Sequence, residues 1–166
     1  MASVADAEMI AALSSSTFYD TYYLYNTPEN ISLYIEEYFT IEKVTAEIID
    51  TNNTFILAFQ QDECVGYVKL CEENFLKELK GISAIEIARL YSKKNLIGKG
   101  VGRTLMLSSF DIAMQRNKQI IWLAVWEENQ RAIDFYHKAG FKKFSEQEFV
   151  FGKEVQNDWL MKKVVF

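Results

Sequence analysis

Apolar residues fall at helical spacing near the start of the chain. Met9, Ile10 and Leu13 follow Asp6, a helix-capping type, and predict a helix over residues 6–17. An aromatic stretch comes next, with Phe18, Tyr19, Tyr22, Tyr23 and Tyr25. Thr27 followed by Pro28 marks a second helix start, and Ile31, Tyr34, Ile35 and Tyr38 form its apolar stripe. Thr40 opens a third, short helix through Ile49. The pattern then switches to strands. Phe55–Phe59 and Cys64–Leu70, separated by Gln60-Gln61-Asp62-Glu63, predict a hairpin, and Ile85–Tyr91 predicts a third strand. A glycine-rich turn leads into a helix from about Val101 to Arg116. Ile120–Val125 is continuously apolar, as in a strand buried on both faces. Arg131–Ala139 places Ala132, Phe135, Tyr136 and Ala139 on one helical face and stops at Gly140. Phe144–Phe151 and Trp159–Val165 predict a closing hairpin. Strands alternating with helices, flanked by hairpins, predict a mixed α/β sheet.

At 166 residues the chain suits one domain over residues 1–166, large enough to bury a core without disulfides or metal. No run of 18 apolar residues occurs, which excludes a membrane-spanning helix. No basic flank precedes an apolar core at the N-terminus, so no signal peptide is expected and the expected compartment is the cytoplasm. Cys64 and Cys71 lie an odd number of residues apart in one strand, on opposite faces, and do not predict a disulfide. His137 is the only histidine and no Cys/His spacing suits a metal, so no metal site is expected.

Charge adds a directional clue. The net charge of −5 disfavours nucleic acid as a partner. Residues 1–80 hold 14 acidic and 4 basic side chains, residues 81–166 hold 9 and 14, giving balances of −10 and +5. Two ligands of opposite charge explain this split, and two solvated surfaces explain it as well.

The candidate chemistry centres on Ile85 to Arg103. Gly98, Gly100 and Gly102 lie between a strand and a strong helix. Alternating glycines let the backbone turn tightly and aim N–H groups into one concavity at the positive end of a helix, a geometry that binds phosphate. Lys99 and Arg103 add side-chain charge. The spacing is neither the dinucleotide G-x-G-x-x-G nor the P-loop pattern. A purely structural glycine turn is the alternative.

Ile97-Gly98-Lys99-Gly100-Val101-Gly102 resembles the acyl-CoA-binding motif [QR]-x-x-G-x-[GA] of the GNAT (GCN5-related) N-acetyltransferases, with Ile97 where the family has Gln or Arg. Downstream, Asn129-Gln130-Arg131-Ala132-Ile133-Asp134-Phe135-Tyr136-His137-Lys138-Ala139-Gly140-Phe141 is similar to the family's second signature, N-x-x-A-x-x-F-Y-x-K-x-G-F, at every fixed place. The segments Thr17–Tyr22, Asn26–Asn30 and Tyr38–Lys43 resemble the branch of PaiA-type spermidine/spermine acetyltransferases. Met1–Val4 leaves little room for the family's first strand.

The resemblance implies a single-domain GNAT fold: a mixed, mostly antiparallel sheet of about six or seven strands, splayed between the family's fourth and fifth strands and flanked by helices. Those two strands correspond to Ile85–Ser92 and Ile120–Val125. It further implies that backbone groups of Leu90, Tyr91 and Ser92 meet the pantetheine arm and thioester of acetyl-CoA, and that one N–H polarises the acetyl carbonyl. Ile97, Gly98, Lys99, Gly100, Val101, Gly102 and Arg103 would hold the pyrophosphate. Asn129 reads as a pantetheine contact, a helix cap, or both. Tyr136, protonated at neutral pH, is the candidate acid for the departing thiolate, with core packing as the other reading. Glu86 is the candidate base acting through water, with an ion pair to Arg89 or another cation as the other reading. His137 is a weaker candidate, and Trp122 and Trp126 read as packing residues. Glu29, Glu36, Glu37 and Glu42 are the carboxylates expected around an acidic acceptor pocket.

The expected function is direct acetyl transfer from acetyl-CoA, in a ternary complex, to a small cationic primary amine such as a polyamine. The alternatives are acetylation of peptide or protein N-termini and non-catalytic sensing of CoA. No membrane partner is expected, and a homodimer is left open.

Overall fold

The alternating segments between residues 53 and 126 form β1 (Asn53–Gln60), β2 (Glu63–Cys71), β3 (Ala84–Ser92) and β4 (Ile120–Trp126). The chain closes with β5 (Lys142–Phe151) and β6 (Glu154–Val164). The structure, a computed structural model, describes residues 1–73, 76–151 and 154–166. Among these, the strands make one sheet in the order β1-β2-β3-β4-β6-β5. Only β3 and β4 run parallel; every other pair is antiparallel. The closing hairpin is longer than its apolar pattern predicts. Pairing runs from Lys142↔Lys162 to Phe151↔Glu154, so the ladder holds polar residues 154–158 extended.

Helices α1 (Ala7–Tyr22), α2 (Pro28–Tyr38) and α3 (Ile41–Ile49) cover one face. Helices α4 (Val101–Gln115) and α5 (Gln130–Lys138) cover the other, over a core of Ile85, Ile87, Leu105, Ile121, Leu123 and Ile133. Thr27 and Thr40 cap α2 and α3, each accepting a backbone N–H at 3.2 Å. Asp6 behaves differently from its sequence reading. Its carboxylate accepts from Ser3 N–H and Oγ, at 2.7 and 3.0 Å, and closes a short 3-10 turn ahead of α1. Helix α1 also continues past Thr17 to Tyr22. Ser14 and Thr17 donate to the carbonyls of Ile10 and Leu13, which satisfies their buried hydroxyls within the helix, and Phe18 stacks on Tyr34 with ring centroids 4.3 Å apart. Where the family would have its first strand, a single bond runs from Ala2 N–H to the Phe55 carbonyl at 2.9 Å.

Two features place the site. Strands β3 and β4 pair only at Ala84↔Ile120, Ile85↔Ile121 and Glu86↔Trp122. Past Glu86, β3 stays on β2 and β4 stays on β6, so a gap opens between them. A bulge lies at the parting point: Lys69 pairs with Arg89 and Leu70 with Ile87, leaving Ala88 as the extra residue. The second feature is Gly66 on β2. A Cβ there would lie 2.7 Å from the Tyr91 carbonyl oxygen and 2.9 Å from Val101 Cγ1, so only glycine lets the start of α4 settle this closely on the sheet.

Candidate active site

The gap has two unpaired strand edges. Lys93 N–H donates to Val65 O on β2, so strand alternation turns the N–H and C=O groups of Leu90 and Ser92 away from β2, toward the gap. Tyr91 keeps its backbone on β2 and projects its side chain among α1–α3, against Tyr67 and Phe39. On the opposite edge, Glu127 N–H donates to Asn157 O, and the same alternation turns Ala124 toward the gap.

The glycine loop lies at the head of this gap. Gly98 and Gly100 have φ of +81° and +96°, the left-handed region that side chains resist, and nothing lies within 4 Å of a Cβ added at either. Gly102 has no such conformation; it lies in the first turn of α4 and packs near Phe135 and Leu90. The first backbone bond of the helix is Thr104 N–H to Gly100 O. The N–H groups of Gly98, Gly100, Val101, Gly102 and Arg103 therefore have no backbone acceptor among the described residues. Ile97, Lys99 and Arg103 are exposed around them. Free donors at a helix start and two open strand edges suit a pyrophosphate and the extended amide chain of CoA.

Helix α5 supplies the tyrosine. Tyr136 is half-buried against Phe135 and Phe141, at 5.4 and 5.9 Å between ring centroids. Burial, then the neighbouring Tyr91 phenol, push its hydroxyl above the ordinary phenol value, so it stays a proton donor at neutral pH. Asn129 caps α5, its Oδ1 accepting from Ala132 N–H at 3.2 Å. His137 is exposed, with Nδ1 3.2 Å from the Phe141 carbonyl, which ties it to the end of its own helix.

Glu86 is half-buried at the last paired rung of β3 and β4. It does not pair with Arg89. Arg89 instead forks onto Glu47 of α3, with contacts of 2.6 and 2.9 Å, and Lys69 joins the same carboxylate at 2.7 Å. Glu86 has no hydrogen bond or ion pair among the described residues. Burial pushes its carboxyl up to about 7, with Lys69 and Arg89 pulling only partly against it. Glu47 shifts the other way: burial would raise it, but Arg89 and Lys69 outweigh that and hold it below the ordinary carboxylate range.

Glu29 and Glu42 are exposed, and Glu36 and Glu37 edge a hollow of about 610 Å³ with Leu33, Tyr38 and Val150. A separate cleft of about 540 Å³ lies at the end of β4, lined by Glu127, Glu128, Glu146, Glu148, Glu154, Tyr25 and Trp126 among others. Trp122 is core, as expected, but Trp126 is half-buried in the cleft wall and touches Tyr22 and Tyr25 at 5.7 and 5.1 Å. Next to it on β6, in register with Trp126, is Asp158. Burial, then Glu127, push this carboxyl up to about 6. No group of three or more His, Cys, Asp or Glu that could hold a metal occurs among the described residues.

A sheet opened between two parallel strands, with a phosphate-suited loop at its head and a protonated tyrosine beside it, defines an acyl-CoA-dependent transferase fold. The chain belongs to the acetyltransferase (GNAT) family, which it matches over residues 11–141, and is an acetyl-CoA-dependent N-acetyltransferase. It is 32% identical to an N-acetyltransferase from the pepI 3' region of Lactobacillus delbrueckii subsp. lactis, over 96% of this chain and 92% of that one. It is 28% identical to a spermidine N(1)-acetyltransferase of Thermoplasma acidophilum, over 84% of each. In fold it is similar to the crystal structure of PaiA N-acetyltransferase from Thermoplasma acidophilum in complex with coenzyme A, with a TM-score of 0.79, 24% identity, and coverage of 98% of this chain and 95% of that one. No described helix is long and apolar enough to cross a membrane.

Proposed function

We propose that residues 1–166 form one N-acetyltransferase domain that acetylates a small cationic primary amine, a polyamine first, by direct attack on the thioester of acetyl-CoA. The observation that carries this reading is Glu86: a half-buried carboxylate with no cation paired to it among the described residues, beside the strand gap, pushed up to about 7. Only a neutral amine is nucleophilic, and a base poised near neutral pH is suited to remove its proton. In this reading Leu90 N–H polarises the acyl carbonyl, Glu86 takes the amine proton through a water, and Tyr136 gives its proton to the departing sulfur. A nitrogen–carbon bond forms and the carbon–sulfur bond breaks, leaving an amide and free CoA thiol. The loop from Ile97 to Arg103 holds the pyrophosphate, and Asn129 adds a pantetheine contact to its capping role.

The cationic acceptor is supported by the glutamate-lined cleft beside Trp126 and by the spermidine N(1)-acetyltransferase among the relatives. A reducing cytoplasm, where Cys64 and Cys71 remain thiols, suits this activity. The test is thiol release from acetyl-CoA across a panel of amines and peptide N-termini. Turnover with spermidine whose KM rises with salt supports the reading. Turnover only with peptides assigns an N-terminal acetyltransferase, and tight CoA binding without turnover assigns a sensor.

A further inference from the structure

Asp158 has no role in the chemistry above, yet its surroundings are unusual for a carboxylate. Glu47, Glu63 and Glu72 each meet a lysine or arginine, whereas Asp158, half-buried, meets no cation and no hydrogen-bond donor among the described residues. The one charge that acts on it is negative, from Glu127, and the residues across from it in the sheet are aromatic or polar and neutral. Trp126 stands directly across on β4 and Gln147 across on β5. Tyr22 from α1 closes over Trp126 at 5.7 Å and over Phe151 at 5.3 Å, and Tyr34 from α2 reaches Phe151 at 5.5 Å. The phenols of Tyr22 and Tyr34 both feel the Asp158 charge. An unpaired, partly desolvated carboxylate is costly until a cation joins it. Aromatic faces around a carboxylate are the chemistry that receives an alkylammonium.

Position narrows the ligand. Register and strand alternation put Glu86, Trp122, Trp126 and Asp158 on the same face of the sheet, the one covered by α1–α3. Strand β4 separates Asp158 from the gap, a spacing of about 4.8 Å between neighbouring strands. That offset suits a second nitrogen a few carbons away from the one being acetylated.

We propose that Asp158 is the specificity-determining residue for the acceptor: it anchors the non-reacting ammonium of a diamine-type substrate, with Tyr22 and Trp126 flanking it. The inference rests on the acetyltransfer reading of the gap. The cleft glutamates beyond Trp126 would extend the same attraction to longer polyamines.

The experiment compares 1,3-diaminopropane and 1,4-diaminobutane with propylamine and butylamine, in the wild-type protein and in Asp158→Asn and Asp158→Glu. The wild type is expected to prefer the diamines in kcat/KM by roughly 10- to 100-fold, the usual worth of a hydrogen-bonded charge. Asp158→Asn is expected to collapse that ratio at least tenfold, with the loss in the diamine KM, and Asp158→Glu to retain part of it. Asp158→Asn removes an unpaired buried charge, so its melting temperature is expected to match or exceed the wild type. An unchanged ratio, equal losses for mono- and diamines, or a loss confined to kcat overturns the proposal while leaving acetyl transfer standing. Absence of transfer to any of the four amines by the wild type overturns the small-amine acceptor reading and this proposal with it.

Discussion

Arg89 lies three residues beyond Glu86 on β3 but gives its guanidinium to Glu47, with Nη1 2.6 Å from Oε2 and Nη2 2.9 Å from Oε1. The bulge at Ala88 helps, since it sets the rung on which Arg89 pairs with Lys69 and leaves both cations directed at α3. Glu47 thus holds both cations and offsets one of their two charges, which leaves Glu86 without a partner and only partly pulled down by them. A carboxylate left half-buried without a partner costs stability, and that cost keeps its proton affinity near neutrality.

Glu86→Gln is therefore expected to lower kcat by roughly 10²- to 10⁴-fold, the range of a lost general base. In the wild type kcat should rise with pH through an inflection near 7, because the base works only when deprotonated and its carboxyl is raised to about 7. The variant should lack that limb. Its melting temperature should exceed the wild type's by a margin that grows as pH rises from about 4.5, where the unfolded chain's carboxyl ionises, and is complete above about 7, because glutamine has no such group to ionise. A variant that keeps the pH limb would assign it to another group.

Glu47→Gln tests the same arrangement from its other side. Arg89 and Lys69, freed of their carboxylate, would act more strongly on Glu86, whose proton affinity both already lower. The kcat inflection is expected to move to lower pH. Stability should drop by on the order of 3 kcal/mol, as when one partner of a buried pair is removed. Because Glu47 is held below its ordinary value near 4.5, its stabilisation is full above that pH and lost as pH falls through the depressed value. The variant's melting temperature should consequently be less sensitive to acid.

The fold was legible from spacing because its elements are local. Thr27-Pro28, Thr40 and the alternating runs of β1 to β4 depend on residues within a turn or a strand of each other. The glycine loop and Tyr136 were legible because their motifs are contiguous. Glu86 was ambiguous because its freedom depends on Glu47, 42 residues before Arg89. Asp158 was not legible at all. Its polar stretch, Glu154–Asp158, lies outside the apolar runs of the predicted hairpin, and only the packing of Tyr22 and the register with Trp126 make it a half-buried carboxylate. The cleft at the end of β4 was not legible for the same reason, since β5, β6 and the end of β4 assemble it from residues without a shared local pattern.

Tyr136→Phe should leave acetyl-CoA affinity unchanged and lower kcat by roughly 10²-fold, because its proton is needed when the thiolate leaves. The aromatic contacts with Phe135 and Phe141 survive in phenylalanine, so the melting temperature should hold. Wild-type kcat in single-turnover measurements would reduce Tyr136 to a packing residue.

The glycine loop separates conformation from space. Gly100 at φ +96° is strained by any side chain, so Gly100→Ala should cost about 1–2 kcal/mol and shift the N–H groups that follow it. Gly100→Asp adds a negative charge at the same donors and should weaken acetyl-CoA binding further. Gly102 is different: its added Cβ would meet Phe135 at 3.6 Å and Leu90 at 3.7 Å, ordinary contact distances. Gly102→Ala should therefore fold normally, and in a helix it replaces a poor former with a good one. Isothermal titration with acetyl-CoA then orders the three variants. The expected order of affinity is Gly102→Ala, then Gly100→Ala, then Gly100→Asp. Folded variants of Gly100 that bind acetyl-CoA as tightly as the wild type would move the pyrophosphate away from this loop.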